Sequence, residues 1–230
     1  MLLSVLLGSH PPRLPVRTLV RTAELFGISD GSARVALSRL TADGEVVSVG
    51  GSYELSDRHL ERQRDQDRSL RPATRKWKGN WELAVLASDQ AEIRGALKAA
   101  RMAELRPGLW ARPDNLTLPA LPPSVALWRG RPGPGEGEPA ELAARLWDLG
   151  GWAHDATSLL EELAGATDPA ARLRIAAAMV RHIRTDPVLP PELLPAEWPG
   201  PRLRAEYDDY RAELGRLIAG RRDGVGTGPR

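Results

Sequence analysis

The chain has 230 residues, of which 42% are hydrophobic and 27% are charged, and it contains no cysteine. This length allows one to three small domains with a buried core. The lack of cysteine excludes disulfides, thiolate nucleophiles and Cys-type zinc sites. No apolar run of about 18 residues is present, and the N-terminus lacks the basic region and cleavage site of a secretory signal. We therefore expect a cytoplasmic protein that does not interact with a membrane.

Positive charge gathers at the N-terminal end of the chain. Residues 1–80 hold 13 Lys and Arg against 9 Asp and Glu, whereas the remaining residues hold 19 against 21. This excess suits contact between the first part of the chain and phosphates, although solubility alone would also explain it.

The first helical segments are marked by helical spacing and by proline. An apolar helix is predicted at residues 2–7, and the sequence His10-Pro-Pro ends it. Pro15 fits the first turn of a second helix, which ends near Phe26. Arg17 and Arg21 lie one turn apart on the surface of this second helix.

A third helix is predicted to follow after a short turn. Gly27 can close the second helix in the left-handed conformation, and Ser29 can accept a backbone N–H bond and cap the next one. In the third helix Ala33, Ala36, Leu37 and Leu40 form the buried stripe, and Ser32, Arg34, Val35, Ser38 and Arg39 form the outward face. The outward face is short, polar and basic.

A β-hairpin is predicted to follow the third helix. Asp43-Gly44 ends the helix, and residues 45–49 and 52–55 read as two strands around a Gly50-Gly51 turn. Helix, turn, helix and hairpin is the order of a winged helix-turn-helix domain, which we assign to residues 1–60.

The outward face of the third helix suits the major groove of DNA. There Arg can make a bidentate contact to guanine, and Ser can bond a base edge or a phosphate. Arg17 and Arg21 could contact the DNA backbone, but exposed helical arginines usually contact only water. The same face could also be an ordinary solvated surface, and winged helices also serve as protein-protein modules. These alternatives stay open at this point.

The next region, residues 57–78, is highly charged. Its first part is predicted to be a helix, and the break at Arg71-Pro72 is followed by a basic cluster at Arg75, Lys76 and Lys78. We assign residues 61–76 to a basic linker or helix, which either lies near DNA or stays solvated.

Residues 77–129 are predicted to form a small ferredoxin-like α+β domain. Strands are predicted at residues 83–87, 109–111 and 125–128, and a helix is predicted at residues 92–100. A second crossover helix has no counterpart in the sequence, because a Pro-rich stretch occupies its expected place. Residues 130–139 then form a flexible boundary rich in glycine and proline.

The chain after this boundary is predicted to be helical, and we assign residues 139–221 to a C-terminal helical domain. Helices are expected at residues 140–149, 152–163, 169–184 and from 203 to about 219, with breaks at Gly150-Gly151 and at residues 165–168. Several prolines between Asp186 and Pro201 exclude a long helix and favour a rigid, ordered crossing. The tail, residues 222–230, is expected to be disordered.

Several of these segments together resemble the PaaX-type family of bacterial transcription regulators, named after the repressor of phenylacetic acid degradation. The resemblance rests on Arg34-Val-Ala-Leu-Ser-Arg-Leu40, Trp77-Lys-Gly-Asn-Trp81, Pro107-Gly-Leu-Trp110, Asp186-Pro-Val-Leu-Pro-Pro-Glu-Leu-Leu-Pro195 and Trp198-Pro-Gly200. It implies a DNA-binding repressor, usually dimeric, with a winged-helix N-terminal domain, a ferredoxin-like middle domain and a C-terminal helical domain. It also implies that the repressor releases its operator on binding an aryl-CoA thioester such as phenylacetyl-CoA. Because a single short recognition helix offers too few base contacts for high specificity, we expect a two-fold dimer on double-stranded DNA with a palindromic operator. The Gly50-Gly51-Ser52 tip departs from the family pattern because it lacks the usual arginines.

A candidate effector site lies at the end of the helix at residues 169–184. Arg181 and Arg184 could meet the phosphates of a CoA-like effector, or they could pair with Asp186 or Glu192 in a purely structural role. No nucleophile-base pair, metal-ligand spacing or cofactor fingerprint is found, so we expect neither an enzyme nor a bound cofactor. A winged-helix protein-interaction module, or a DNA-binding regulator without ligand control, is the alternative function.

Overall fold

The structure is a computed structural model that describes residues 1–86 and 90–220. Within these ranges the chain forms nine α-helices and seven β-strands, and the strands make two separate antiparallel sheets. This mixture of helices and antiparallel sheets confirms the predicted α+β class. No helix in the described ranges is long and apolar enough to cross a membrane. The predicted disordered tail lies outside the described residues.

The described chain divides into two compact units. The first contains residues 1–70, 156–184 and the described residues from 200 onward, and the second contains residues 71–155 and 185–199. Residues 130–139, the predicted flexible boundary, lie inside the second unit, where Glu136 forms ion pairs with Arg106 and Arg145. The predicted domain boundaries stay predictions, because compactness does not test independent folding.

The first unit begins with a succession of short helices and strands. These are α1 (Leu2–Gly8), β1 (Arg13–Pro15), α2 (Val16–Leu25), α3 (Asp30–Ala42), β2 (Val46–Val49), β3 (Ser52–Leu55) and α4 (Asp57–Leu70). The strands form a sheet in the order β1-β3-β2, with antiparallel neighbours. Strand β1 was not expected from the sequence. Its three residues are too few to show an alternating pattern, and the strand is defined by its pairing with β3.

The turn between α2 and α3 has the expected chemistry. Gly27 is left-handed with a φ of +72°, and the Ser29 hydroxyl oxygen accepts a hydrogen bond from the Ser32 N–H at 3.3 Å. Both predictions are therefore confirmed. Gly50 and Gly51 at the hairpin tip also have positive φ, which suits a tight two-residue hairpin turn.

One apolar core holds these elements of the first unit together. Its buried members include Leu2, Val5, Leu6, Leu19, Val20, Ala33, Leu37, Val46 and Leu55. Gln63 of α4 is buried and donates to the carbonyl oxygens of Leu7 and Ser9 at 2.8 and 3.0 Å. Because the last carbonyls of a helix lack intrahelical partners, this side chain serves as a cap for α1.

Three later helices are α7 (Leu149–Gly165), α8 (Pro169–Ile183) and α9 (Gly200–Gly220). The predicted break at Gly150-Gly151 is wrong, because both glycines lie in the first turn of α7. The Asp148 carboxylate accepts a hydrogen bond from the Gly151 N–H at 2.9 Å, as an N-terminal cap does. A Cβ at Gly151 would lie 2.3 Å from Asp148 Oδ2. The glycine therefore permits the cap instead of ending a helix.

The second unit is built around a four-stranded sheet. Its elements are β4 (Trp81–Leu86), α5 (Ala91–Ala99), β5 (Ala103–Arg106), β6 (Leu109–Pro113), β7 (Val125–Gly130) and α6 (Pro139–Leu146). The strand order is β5-β6-β4-β7, and every neighbouring pair is antiparallel. Strand β5 was not predicted from the sequence. Its alternation of half-buried and exposed residues is hard to recognise because Glu104 and Arg106 are charged. The Pro-rich residues 114–124 contain no helix, as expected.

Each face of this sheet has its own apolar cluster. One face packs against α5 through Ala84, Ile93, Leu97, Met102 and Trp110. The other packs against α6 and the Pro-rich segment, defined as residues 186–199, through Trp81, Ala111, Leu142, Leu189 and Leu193. Leu194 and Trp198 join the second cluster partly buried, so apolar side chains along the Pro-rich segment anchor it to this face.

Polar contacts also fix the Pro-rich segment within the second unit. Arg112 is buried and donates to Ala100 O and Asn115 Oδ1, while Asn115 Nδ2 donates to Val188 O at 2.8 Å. Burial lowers the pKa of Arg112 to about 10. Val188 has a φ of +51°, which is unusual for a β-branched residue. The Asp186 carboxylate accepts from the Val188 N–H and so supports this turn.

Candidate nucleic-acid interface

Helix α3 presents the outward face that its spacing predicts. Ala33 and Leu37 are buried in the core of the first unit, and Ala36 and Leu40 pack against it. The five predicted DNA-facing residues, Ser32, Arg34, Val35, Ser38 and Arg39, are all exposed. The structure therefore gathers all five on one accessible surface of one helix, which we call the α3 face.

The two arginines of the α3 face have different surroundings. Arg34 donates from Nε to Asp30 one turn earlier, and this hydrogen bond and the Asp30 charge raise the pKa of Arg34. Arg39 makes no ion pair with any residue that the structure describes. Arg34 must therefore exchange Asp30 for a phosphate or a base edge on binding DNA, whereas Arg39 is available without such an exchange.

The remaining predicted contacts lie on α2. Arg17 is exposed in the first turn of α2, and Arg21, one turn later, is half-buried. Both residues belong to the same compact unit as the α3 face. Exposure makes Arg17 the better placed of the two for a phosphate contact.

The hairpin tip carries a cation that the sequence did not reveal. Arg13 of β1 pairs with Glu54 at 3.0 Å, and its Nη2 lies 3.5 Å from the carbonyl oxygen of Val49. A Cβ at Gly50 would lie 3.9 Å from the same Nη2. Because β1 pairs with β3, the chain places an arginine beside the arginine-free Gly50-Gly51 turn. The missing signal was the pairing of β1, which only the fold provides.

The base of the hairpin is held by an ionic cluster. Glu45 lies before β2 and pairs with both His59 and Arg58 of α4. The hydrogen bond from His59, followed by that from Arg58, lowers the pKa of Glu45 below its ordinary value. Helix α4 thus fixes the start of the hairpin at neutral pH.

A groove separates the α3 face from α1. It has a volume of about 800 Å³ and is lined mainly by apolar side chains. Leu2 and Leu3 of α1 line one side, and Val35, Arg39 and Leu40 of α3 line the other. Val35 is 53% exposed. An exposed apolar side chain next to arginine and serine can contact a thymine methyl group or an apolar partner protein.

The predicted effector residues lie at the end of α8. Arg181 is in the last turn of α8, and Arg184 is the residue that follows the helix. Both are exposed. Within residues 1–86 and 90–220, no group of three or more metal-ligating side chains is found.

Comparison with known proteins places this geometry in a family. Residues 1–59 match the family model described as PaaX-like protein, and residues 150–219 match the model described as PaaX-like protein C-terminal domain. The chain belongs to the PaaX-like family. The first match contains the whole predicted DNA-binding region from α1 to the hairpin, and the second contains almost all of α7 to α9. The family assignment predicted from the motifs is confirmed.

A solved structure is similar to most of this PaaX-like chain. The chain is similar to the uncharacterized protein Rv0674 from Mycobacterium tuberculosis, with 44% sequence identity and a TM-score of 0.83, and the match covers 95% of each chain. The comparison with curated proteins gave no match. Membership of the PaaX-like family supports a role in transcription regulation and in DNA binding.

Proposed function

We propose that this protein is a sequence-specific DNA-binding transcription repressor whose N-terminal region acts as a winged helix-turn-helix domain. The observation that carries the proposal is the α3 face, which exposes Ser38 and Arg39 on a helix of a PaaX-like chain. A helix of this size fits the major groove, where arginine and serine read base edges and phosphates. In this account the protein acts in the cytoplasm, where the DNA is, and has no catalytic activity.

The repressor binds DNA as a homodimer. A single short helix makes too few base contacts for high specificity, and a two-fold dimer doubles them on a palindromic operator. The half-site centres are then separated by about one helical turn of DNA or a multiple of it. Footprinting on the bound operator would reveal this spacing directly.

The DNA-binding proposal is tested on the DNA upstream of the gene that encodes the chain. A gel-shift titration with purified full-length protein should give a specific complex at nanomolar concentrations, which competitor DNA of unrelated sequence does not remove. A reporter driven by the same DNA should be less active when the protein is present, as repression requires. If the protein binds this DNA specifically but activates the reporter, the repressor assignment is contradicted and the DNA-binding proposal is not.

The effector is proposed to be an aryl-CoA thioester or a related acidic small molecule, bound near Arg181 and Arg184. Adding phenylacetyl-CoA to the preformed complex should release the DNA. Arg181→Ala and Arg184→Ala should keep DNA affinity and lose this release, because the change removes cations that meet phosphate groups. The exposed Arg174 of α8 supplies a matched control, since Arg174→Ala should behave as the unchanged protein does. Normal release in both variants would contradict the assigned site.

The groove beside the α3 face favours a second candidate function, a protein-interaction module. Its wall of leucines and Val35 is more apolar than a phosphate contact needs. Under this alternative the chain shows only weak DNA binding that is independent of sequence. The competitor titration therefore separates the two functions.

A further inference from the structure

The four-stranded sheet of the second unit has two edges with opposite properties. At one edge, β5 has four residues, and its register with β6 shifts at a bulge between Glu104 and Arg106. Arg106 is further tied to Glu136. Short length, charge and a bulge are features that prevent an edge strand from pairing with another chain. The β5 edge is therefore protected.

The opposite edge, β7, is longer and has no bulge. Its six residues pair with β4 in an unbroken register from Trp81 opposite Gly130 to Leu86 opposite Val125. Among the described residues no strand pairs with the outer side of β7. The strand contains neither lysine nor proline. A regular six-residue edge strand that no other described strand covers is a template for a further strand.

The side chains of β7 are exposed and apolar to an unusual degree. Trp128 is 66% exposed, more than any other large hydrophobic side chain among the described residues, and Leu127 is 49% exposed. Leu127 lies opposite Ala84, on the face covered by α5, and Trp128 lies opposite Leu83, on the face covered by α6. Each face of the sheet therefore has an uncovered apolar side chain at the β7 edge.

The one charged side chain of β7 is already neutralised within its own chain. Arg129 Nε lies 2.9 Å from Asp114, and Arg129 Nη2 lies 3.4 Å from Glu82. Bringing two β7 strands together therefore adds no unpaired positive charge at the contact. This internal pairing favours a second copy of the same strand as the occupant of the edge.

We propose that β7 is the surface through which two copies of this chain pair, with the two strands antiparallel and the sheet continued to eight strands. The inference rests on the homodimer of the proposed function and assigns its interface. Both the main-chain hydrogen bonds and the burial of Leu127 and Trp128 then stabilise the dimer. The contact is isologous, because each copy contributes the same strand.

The symmetry of an antiparallel pair restricts the register, and the two allowed registers that pair the most residues of β7 are centred on Leu127 and on Trp128. Residues directly opposite each other must lie on the same face of a continuous sheet. Leu127 and Trp128 lie on opposite faces, so they cannot lie directly opposite each other in the two copies. The two-fold axis therefore passes midway between the two copies of a single residue. Either Leu127 meets its own copy and Ala126 lies opposite the partner's Trp128, or Trp128 meets its own copy and Leu127 lies opposite the partner's Arg129.

The dimer interface is tested by the mass of the full-length protein in solution. Sedimentation equilibrium should show a dimer for the unchanged chain and a dissociation constant at least about tenfold higher for Trp128→Lys, since a charge on an edge strand opposes pairing. Leu217→Lys on α9 is the matched control, because Leu217 is 50% exposed and lies in the other unit. A monomeric unchanged chain, or an undisturbed dimer in Trp128→Lys, would overturn the proposal.

Single-cysteine variants provide a test that does not require a destabilising charge. The chain contains no cysteine, so each variant has one thiol. Residues opposite each other at the axis have Cα atoms about 4.5–5.5 Å apart, whereas a diagonal pair is about 7–8 Å apart and exceeds disulfide reach. Under diamide, efficient cross-linking is expected at Leu127→Cys or at Trp128→Cys but not at both. Cross-linking at neither position would contradict the interface. Equal cross-linking of Leu127→Cys, Trp128→Cys and the control variant Leu217→Cys would also contradict it.

The outcome for the interface can be separated from the outcome for DNA binding. Trp128→Lys should keep the affinity of one protomer for an isolated half-site, because β7 and the α3 face belong to different units. If Leu127→Cys or Trp128→Cys cross-links through β7 but the unchanged chain binds no DNA specifically, the proposed function fails and the interface stands. If the chain binds its operator as a dimer that Trp128→Lys leaves intact, the interface fails and the proposed function stands.

Discussion

Arg13 of β1 lies beside Val49 at the tip of the β2–β3 hairpin, with its Nη2 3.5 Å from the Val49 carbonyl oxygen. The Arg13 side chain is nearly half-exposed, and its guanidinium is paired with Glu54. The fold thus supplies, from a neighbouring strand, the positive charge that the hairpin turn lacks. This relationship makes Arg13 the candidate backbone contact of the hairpin.

Replacing Arg13 should weaken DNA binding without changing its sequence preference. Arg13→Ala should lower affinity for operator and unrelated DNA alike, and the slope of log affinity against log salt should fall by about one, because one phosphate contact is lost. Arg13→Lys should keep the slope, and Arg174→Ala serves as the control. Filter binding at several salt concentrations measures both quantities. An unchanged slope in Arg13→Ala would exclude the contact.

The stack between Trp152 and Trp198 is expected to stabilise the second unit. The ring centroids are 4.5 Å apart and the planes are inclined by 20°. Trp198→Ala removes this stack and one anchor of the Pro-rich segment, so the free energy of unfolding should fall by about 2–4 kcal/mol. Trp198→Phe should lose less. Urea unfolding monitored by circular dichroism gives the values, and an unchanged stability in Trp198→Ala would disprove the anchoring role.

Two tyrosines of α9 should respond differently to loss of their hydroxyl groups at neutral pH. Tyr207 accepts a hydrogen bond from Gln66 at 3.0 Å, whereas the buried Tyr210 hydroxyl has no partner among the described residues. Tyr207→Phe should cost about 1 kcal/mol, and Tyr210→Phe should be neutral or stabilising because a buried unpaired hydroxyl is removed. Equal losses of unfolding free energy in the two variants would contradict this difference.

Tyr207 should also contribute to loss of stability in alkali. Burial raises the pKa of Tyr207 to about 12, above its ordinary value of 10. Between these values the unfolded chain releases the proton and the folded chain keeps it, so stability falls as pH rises from about 10 to 12. When the free energy of unfolding of each protein is expressed relative to its own value at pH 8, Tyr207→Phe should lose less of it in alkali than the unchanged chain does. A pH dependence equal to that of the unchanged chain would show that the hydroxyl ionises equally in both states.

Local chemistry made much of the first unit predictable from sequence. Gly27 and Ser29 are turn and cap residues whose preferences act over three or four positions, so the start of α3 and its exposed face followed from the sequence. The residues of the α3 face could be predicted from helical spacing alone. Its ability to bind DNA is not a property of spacing, because the same exposed polar face also suits plain solvation.

The missed features depend on contacts between distant parts of the chain. Strand β1 exists through pairing with β3, and β5 is a short edge strand with charged residues. Gly151 was interpreted as a helix breaker because its role depends on how closely Asp148 approaches it. Arg13 was overlooked for the same reason, since its place beside the hairpin tip requires the sheet order β1-β3-β2.

The most direct test of DNA recognition by the α3 face is the operator affinity of alanine variants at Arg34, Ser38 and Arg39, measured by fluorescence anisotropy on operator and unrelated DNA. Arg39→Ala should weaken specific binding by about 1–3 kcal/mol and reduce the discrimination between the two DNAs, as loss of a base contact requires. Arg174→Ala should leave both affinities unchanged. Operator affinity equal to that of the unchanged chain in all three α3 variants would contradict DNA recognition by this helix.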